Sequence, residues 1–102
     1  MYKQISMAEA KEIMSTEKEY ILLDARTQEE YADGHIPGAI CVPNETIGTE
    51  PPVELPDKEK KILVYCRSGN RSRQAAAKLA AMGYSNIVEF GGIMDWNGEI
   101  EK

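Results

Sequence analysis

The sequence predicts an α/β fold in which a parallel β-sheet is covered by helices on both faces. Short apolar runs of strand length recur along the chain, and they are continuously apolar, as in strands buried on both faces. Segments with helical spacing or helix-capping residues separate most of these runs. A chain of 102 residues is long enough for one hydrophobic core, so a single domain over residues 1–102 is expected.

The apolar runs predict the strands. They lie at residues 20–23, 39–42, 62–65 and 87–90, and residues 2–5 are expected to form a short first strand. Between the run at 39–42 and the run at 62–65, residues 44–57 carry prolines, a glycine and several acids, which interrupts any regular periodicity. This segment is therefore expected to be a surface connection with at most one helical turn.

Capping residues predict where the first two helices begin. Ser6 and Glu9 match a capping box, as do Thr27 and Glu30, and Gly34 should end the second helix. Further along, apolar residues at helical spacing and a double glycine favour two more helices. The predicted helices cover residues 7–15, a short segment after 27, residues 72–82 and residues 93–97.

A cysteine follows the fourth predicted strand. Cys66 comes after the apolar run 62–65 and before a loop of polar and glycine residues that leads into a helix. Backbone N–H groups in such a loop and in the first helical turn lack intrahelical partners, and the helix dipole adds positive potential. Arg67 and Arg71 add full charges. We therefore expect an easily ionised thiol beside an anion-binding site.

The charge distribution indicates a small anionic ligand. The chain carries a net charge of −5, which disfavours nucleic acid or an anionic membrane as its main partner. Against this acidic background, three of the four arginines lie within residues 67–73. Such a local positive site in a negative molecule suits a small anion better than a polyanion.

Cysteine usage and hydropathy suggest a cytoplasmic protein. Two cysteines do not make a disulfide framework, and in a reducing compartment both should be free thiols. No apolar run approaches the ~20 residues needed to span a bilayer, and the first residues do not resemble a signal peptide. A monomer is the expected oligomeric state.

Three motifs resemble those of the rhodanese family and occur in the expected order. They are Leu23-Asp24-Ala25-Arg26 through Glu30-Tyr31 with Gly34-His35-Ile36-Pro37-Gly38-Ala39, then Cys66-Arg67-Ser68-Gly69-Asn70-Arg71, then Gly91-Gly92-Ile93-Met94-Asp95-Trp96. The resemblance implies a rhodanese-like fold with about five parallel strands flanked by helices. It also implies transfer of sulfane sulfur through a cysteine persulfide, which would form on Cys66. The family commonly has Asn where this chain has Cys41.

The site predicted from these residues has Cys66 as its nucleophile. Its thiolate would attack the outer sulfur of thiosulfate or a related anionic donor, and a thiol or cyanide would then remove the sulfur. A thiol of a partner protein is also a candidate sulfur acceptor. Neither a metal nor an organic cofactor is expected. The predicted substrate-binding residues are Arg67, Ser68, Gly69, Asn70, Arg71 and Ser72.

Two other functions use the same residue types. A non-catalytic sulfur-carrier or regulatory module would receive sulfur from a protein partner, and intact loop chemistry serves this role equally well. A cysteine phosphatase also combines a thiolate with an arginine in an anion-binding loop. Phosphatase loops place one residue more between Cys and Arg than the four that separate Cys66 from Arg71, so the sequence favours sulfur transfer.

Several polar residues outside the loop are expected to be structural. His35 lies in a Gly-His-Ile-Pro-Gly turn, where a hydrogen-bonded turn histidine is expected rather than a general base. Asp24 and Arg26 are expected to form a polar network at a strand end, with Glu30 as a candidate third member. Cys41 is expected to be a buried core thiol, with resolution of a persulfide as the alternative.

Overall fold

Five strands form one parallel sheet in the computed structural model, which describes residues 2–102. The strands pair in the order β1-β5-β4-β2-β3, and each pairing is parallel. Their bounds are β1 Lys3–Gln4, β2 Tyr20–Asp24, β3 Ile40–Cys41, β4 Lys61–Cys66 and β5 Ile87–Gly92. The predicted α/β fold with its five-stranded parallel sheet is confirmed. Met1, with which the expected domain begins, lies outside the described residues.

In residues 2–102, three α-helices and one 3₁₀ turn connect the strands, and a second 3₁₀ turn follows β5. They are α1 Met7–Thr16, α2 Gln28–Asp33, α3 Asn70–Ala81, and the 3₁₀ turns Asn44–Thr46 and Ile93–Asp95. Both predicted capping boxes are present, one at Ser6 and Glu9 and the other at Thr27 and Glu30, and Gly34 is the C-cap of α2. Within residues 2–102, no helix has the length and apolar character needed to cross a membrane.

The sheet is covered on both faces. Successive side chains of β4 point to opposite faces, because the side-chain period of a strand is two. One buried cluster joins Ile62, Val64 and Cys66 of β4 to Ala75, Ala76 and Leu79 of α3. The other joins Leu63 and Tyr65 of β4 to Ala10 of α1. Cys66 therefore lies on the face of the sheet that α3 covers.

The carboxyl ends of the strands meet at one edge, as the sequence predicted. Asp24, Cys66 and Gly92 each end a strand of this parallel sheet, and Pro43 follows the end of β3. In parallel α/β sheets, ligands bind outside this edge. Cys66 supplies the strongest nucleophile there.

The structure corrects three predicted boundaries. Helix α3 begins at Asn70 rather than at residue 72, because Gly69 adopts a left-handed conformation (φ 109°) and serves as the N-cap. Strand β5 continues to Gly92, which pairs with Cys66 after a register shift in the ladder. The last predicted helix is only a 3₁₀ turn over Ile93–Asp95.

Candidate active site

Cys66 lies at the base of a short loop between β4 and α3. It is the last residue of β4, and its side chain is buried, with 1% of the residue exposed. The backbone N–H of Gly69 donates a hydrogen bond to its Sγ atom at 3.0 Å. The loop therefore folds back over the sulfur, and the N-terminus of α3 points toward it.

The surroundings of Cys66 favour its thiolate form. Burial raises the pKa of the Cys66 thiol, but hydrogen bonds outweigh burial, and the pKa lies below its ordinary value of 9.0. One of these is the bond that the Gly69 N–H donates to the sulfur. The Ser72 hydroxyl and the backbone N–H groups of Ser72 and Ser68 also lower the pKa of the thiol. The expected N–H group facing the thiol is found at Gly69.

A glycine of β5 lets the loop pack closely on the sheet. A Cβ atom on Gly92 would lie 2.6 Å from the Cα of Ser68 and closer still to the Arg67 carbonyl. No side chain fits at that distance. The Arg67 carbonyl also accepts a hydrogen bond from the Met94 N–H at 3.2 Å. Gly92 thus allows the loop to lie this close to the end of β5.

The predicted anion-binding loop has both exposed and buried members. Arg67, Ser68 and Asn70 are exposed, and Gly69 and Ser72 are buried. Arg71 is half-buried. The predicted residues all lie in the loop after Cys66 and the first turn of α3, and among them only the Gly69 N–H bonds to the sulfur. Their binding of a substrate stays a prediction.

Arg71 is held by a carboxylate. Its Nη1 and Nη2 atoms donate to the two carboxylate oxygens of Glu30 at 2.6 and 2.9 Å. The Arg71 hydrogen bond is the largest cause that lowers the pKa of Glu30, to about 2 from an ordinary 4.5. The sequence suggested Glu30 as a third member of the Asp24 and Arg26 network. In the structure Glu30 instead accepts hydrogen bonds from Arg71 and makes none with Asp24 or Arg26.

Asp24 and Arg26 form the expected buried network. The Arg26 guanidinium donates to Asp24 Oδ2 at 2.7 Å, and the Tyr65 hydroxyl donates to the same oxygen at 2.8 Å. Arg26 also donates to the carbonyl of Gly34 at 2.7 Å. These bonds join β2, β4 and the end of α2 beneath the site.

Sequence reasoning missed a buried carboxylate next to the loop. Glu89 is 2% exposed, and its Oε2 atom accepts hydrogen bonds from the Ser72 hydroxyl at 2.6 Å and from the Gly91 N–H at 2.9 Å. Its other oxygen accepts from Gln4 Nε2 at 3.1 Å. The available signal was a single acid within the apolar run of β5.

The remaining candidates lie away from the sulfur. His35 Nδ1 is 2.9 Å from the carbonyl of Tyr31, as expected of a turn histidine. Cys41 is partly exposed rather than buried, and burial raises the pKa of its thiol to about 11. Strand β2 separates β3 from β4, which puts the two cysteine Cα atoms about 10 Å apart, beyond disulfide range.

Metal ligation has no candidate cluster in the described part of the chain. No group of three or more His, Cys, Asp or Glu side chains in residues 2–102 is placed to hold an ion. The polar groups at the strand ends are instead the loop N–H groups, the arginines and the buried carboxylates described above.

A family model described as a rhodanese-like domain matches residues 6–99. The chain belongs to this family. The rhodanese-like domain is 37% identical over 97 residues to YtwF of Bacillus subtilis, which carries a sulfurtransferase name, with 95% of this chain and 92% of YtwF covered. It is 34% identical over 97 residues to the thiosulfate sulfurtransferase GlpE of Coxiella burnetii, with 94% and 88% covered.

Larger proteins and solved structures contain similar rhodanese-like domains. The adenylyltransferase and sulfurtransferase UBA4 of Candida albicans is 34% identical over 106 residues, a match to 97% of this chain and 24% of UBA4. The solution structure of the rhodanese-like domain of Alr3790 from Anabaena sp. has a TM-score of 0.87 and 28% identity, with 99% of this chain and 80% of that one covered. The chain is therefore a sulfurtransferase-family domain of rhodanese-like fold.

Proposed function

We propose that this rhodanese-like domain transfers sulfane sulfur from thiosulfate, or a related anionic donor, to a thiophilic acceptor through a persulfide on Cys66. One observation carries the proposal. The Cys66 sulfur accepts the Gly69 N–H at 3.0 Å at the N-terminus of α3, and its hydrogen bonds hold the thiol pKa below its ordinary value. A thiolate in an anion-binding loop is the nucleophile that this reaction needs.

The first half-reaction forms the persulfide. The Cys66 thiolate attacks the outer sulfur of thiosulfate, and a bond forms between the two sulfurs. The bond between the outer and central sulfur atoms breaks, and its electron pair leaves with sulfite. The loop N–H groups that face the thiolate would also stabilise the negative charge of the persulfide.

The second half-reaction returns the thiolate. Cyanide or a thiolate attacks the terminal sulfur of the persulfide, and the electron pair of the broken S–S bond goes back to Cys66. No metal or organic cofactor takes part in either step. Because the donor product leaves before the acceptor reacts, the kinetics should be ping-pong.

Each loop residue has a proposed part in donor binding. The backbone N–H groups of Ser68, Gly69 and Asn70 would face the anion, since they lie in the loop and at the start of α3. Arg67 is exposed and would draw anions to the mouth. Arg71 would bind the donor in competition with Glu30. The Ser72 hydroxyl would stabilise the sulfur of Cys66.

A sulfur-carrier or regulatory role is the second candidate. The likeness to UBA4 favours this role. The matched segment is only 24% of UBA4, which is named both an adenylyltransferase and a sulfurtransferase, so there a domain of this kind is one part of a larger protein. In that role a partner protein would deliver the sulfur or take it from Cys66. Loading from thiosulfate favours the enzyme, and loading only from a protein persulfide favours the carrier.

A cysteine phosphatase is disfavoured by the size of the loop. Four residues separate Cys66 from Arg71, one fewer than in phosphatase loops. A shorter loop offers less room for a tetrahedral phosphate at attack distance, whereas a terminal sulfur atom is smaller.

We also propose that the chain is a single domain and acts as a monomer in a reducing compartment such as the cytoplasm. Both cysteines are free in the structure, and a persulfide-forming thiol must stay reduced to react. The net charge of −5 favours neither nucleic acid nor an anionic membrane as a partner.

Steady-state kinetics test the proposed reaction. With thiosulfate and cyanide varied together, thiocyanate formation by the wild type and by Cys41→Ser should give parallel double-reciprocal lines. Cys66→Ser should be inactive. Intersecting lines, or turnover that survives in Cys66→Ser, would overturn the persulfide mechanism.

A further inference from the structure

We propose that Arg73, a residue of α3, binds the anionic group of the sulfur donor. It lies beyond the substrate-binding residues that the sequence predicts, which end at Ser72. Its guanidinium would attract the donor to the loop and takes no part in bond breaking. The inference deepens the proposed function and rests on it, because it assigns the cation that selects anionic donors.

The ion pairs leave two of the four arginines free. Arg26 and Arg71 each bond to a carboxylate, as described above. Arg67 and Arg73 are exposed, and within residues 2–102 neither forms a salt bridge. The uncompensated arginine charge near the loop therefore belongs to these two side chains and not to Arg71.

The Arg73 side chain lies over Gly69. Helical side chains point toward the helix N-terminus, and Gly69 is the N-cap of α3, four residues before Arg73. A Cβ atom on Gly69 would be 3.1 Å from Arg73 Nη1, which is tighter than an ordinary van der Waals contact. The glycine thus leaves room for the guanidinium beside the loop.

The same glycine contacts the nucleophile. Its N–H donates to the Cys66 sulfur at 3.0 Å. Standard covalent geometry then places Arg73 Nη1 within about 9 Å of this sulfur, because both atoms lie close to Gly69. A full charge in this range acts on an anion bound at the sulfur, since the screening length at moderate ionic strength is about 10 Å.

A buried carboxylate makes a free cation necessary here. Glu89 is 2% exposed, and its Oε2 atom would be 3.8 Å from the same Cβ position on Gly69. It accepts three hydrogen bonds, which favour the charged carboxylate. That charge would repel an anionic donor. Arg73 lies beside the same glycine, so its positive charge offsets the repulsion.

Alkylation of Cys66 by a neutral and an anionic reagent tests the anion site without any need for sulfur transfer. In a Cys41→Ser background, the rate with iodoacetamide reports the reactivity of the thiolate, and the rate with iodoacetate adds the attraction of an anion. Arg73→Gln should lower the ratio of the iodoacetate rate to the iodoacetamide rate about three- to tenfold, because one positive charge near the sulfur is lost. Arg73→Lys keeps the charge and should keep the ratio within about twofold of the parent.

Lys60→Gln is the matched control. Lys60 is exposed just before β4, at the opposite end of that strand from Cys66, and its replacement changes the net charge by the same amount. The ratio should stay within about 1.5-fold of the parent, because solvent ions screen a charge at that distance. An unchanged ratio in Arg73→Gln, even with both rates lowered, would overturn the proposal. An equal fall in Lys60→Gln would do the same, since the effect would then come from net charge.

Steady-state kinetics separate this inference from the proposed function. Arg73→Gln should raise the KM for thiosulfate about three- to tenfold with little change in kcat, since the lost interaction is with the bound anion. Turnover of thiosulfate with an unchanged KM in Arg73→Gln would overturn the role of Arg73 and leave the proposed function standing. No turnover in the wild type, together with the expected alkylation ratios, would overturn the proposed function and leave the anion site standing.

Discussion

The Arg71 guanidinium is bound through both terminal nitrogens by the carboxylate of Glu30, at 2.6 and 2.9 Å. Glu30 belongs to α2 and Arg71 to the first turn of α3, so the pair ties two helices together at the mouth of the site. The charge that the sequence assigns to donor binding is thus already compensated. An anion that enters must compete with Glu30.

Release of Arg71 should strengthen donor binding. Glu30→Gln should lower the KM for thiosulfate about two- to fivefold with little change in kcat, since partly exposed charge pairs contribute up to about 1 kcal/mol. The matched control is Glu29→Gln, which changes an exposed carboxylate of the same helix. A KM that stays the same or rises would mean that Glu30 orients Arg71 for binding instead of competing with the donor.

The same pair should make stability depend on pH. The pKa of Glu30 is lowered to about 2 in the folded protein from an ordinary 4.5, so the pair stabilises the fold above pH 4.5 and loses this effect as pH falls toward 2. The difference in free energy of unfolding between wild type and Glu30→Gln should therefore shrink from neutral pH to about pH 3. Urea denaturation at the two pH values measures it. A difference that does not change with pH would contradict the assigned ion pair.

The two cysteines should differ in reactivity. The pKa of Cys66 lies below its ordinary value, whereas burial raises that of Cys41 to about 11. Because the thiolate is the reactive form, iodoacetamide at neutral pH should modify Cys66 first, although Cys41 is the more exposed. Peptide mapping of the wild type, with Cys41→Ser and Cys66→Ser as references, locates the label. Preferential labelling of Cys41 would show that access, and not ionisation, controls reactivity.

Tyr65 should matter for stability and not for donor binding. Its hydroxyl donates to Asp24 at 2.8 Å and accepts the Ile36 N–H at 3.1 Å, and it packs on the face of the sheet opposite Cys66. Tyr65→Phe should lower the free energy of unfolding by about 1–3 kcal/mol, because buried partners lose a bond. The KM for thiosulfate should change by less than about twofold, since no donor contact is lost. Tyr20→Phe, which removes a hydroxyl with one 3.4 Å contact, is the control.

Local features were predictable from the sequence because they depend on nearby residues. The two capping boxes each join residues three apart, and the apolar run before Cys66 placed the thiol at a strand end. The sequence pattern predicts the start of α3 two residues late. Serine is a preferred N-cap residue, which favours a start at Ser72, and the left-handed conformation of Gly69 is known only from the structure.

The tertiary partners of the loop were not predictable in the same way. Arg71 and Glu30 are 41 positions apart, and Ser72 and Glu89 are 17 apart. Only the tertiary fold, which packs α3 on β5 and brings Glu30 of α2 to Arg71, selects these pairs among the many acids of the chain. The acid within an apolar strand is the one local sign that Glu89 is special, since charged residues are rarely buried without partners.

The mass of the intact protein after incubation with thiosulfate tests the central claim most directly. The wild type and Cys41→Ser should each gain the mass of one sulfur atom, and cyanide should remove it. Cys66→Ser should gain nothing. No gain in the wild type, or an equal gain in Cys66→Ser, would contradict the assignment of Cys66 as the residue that carries the sulfur.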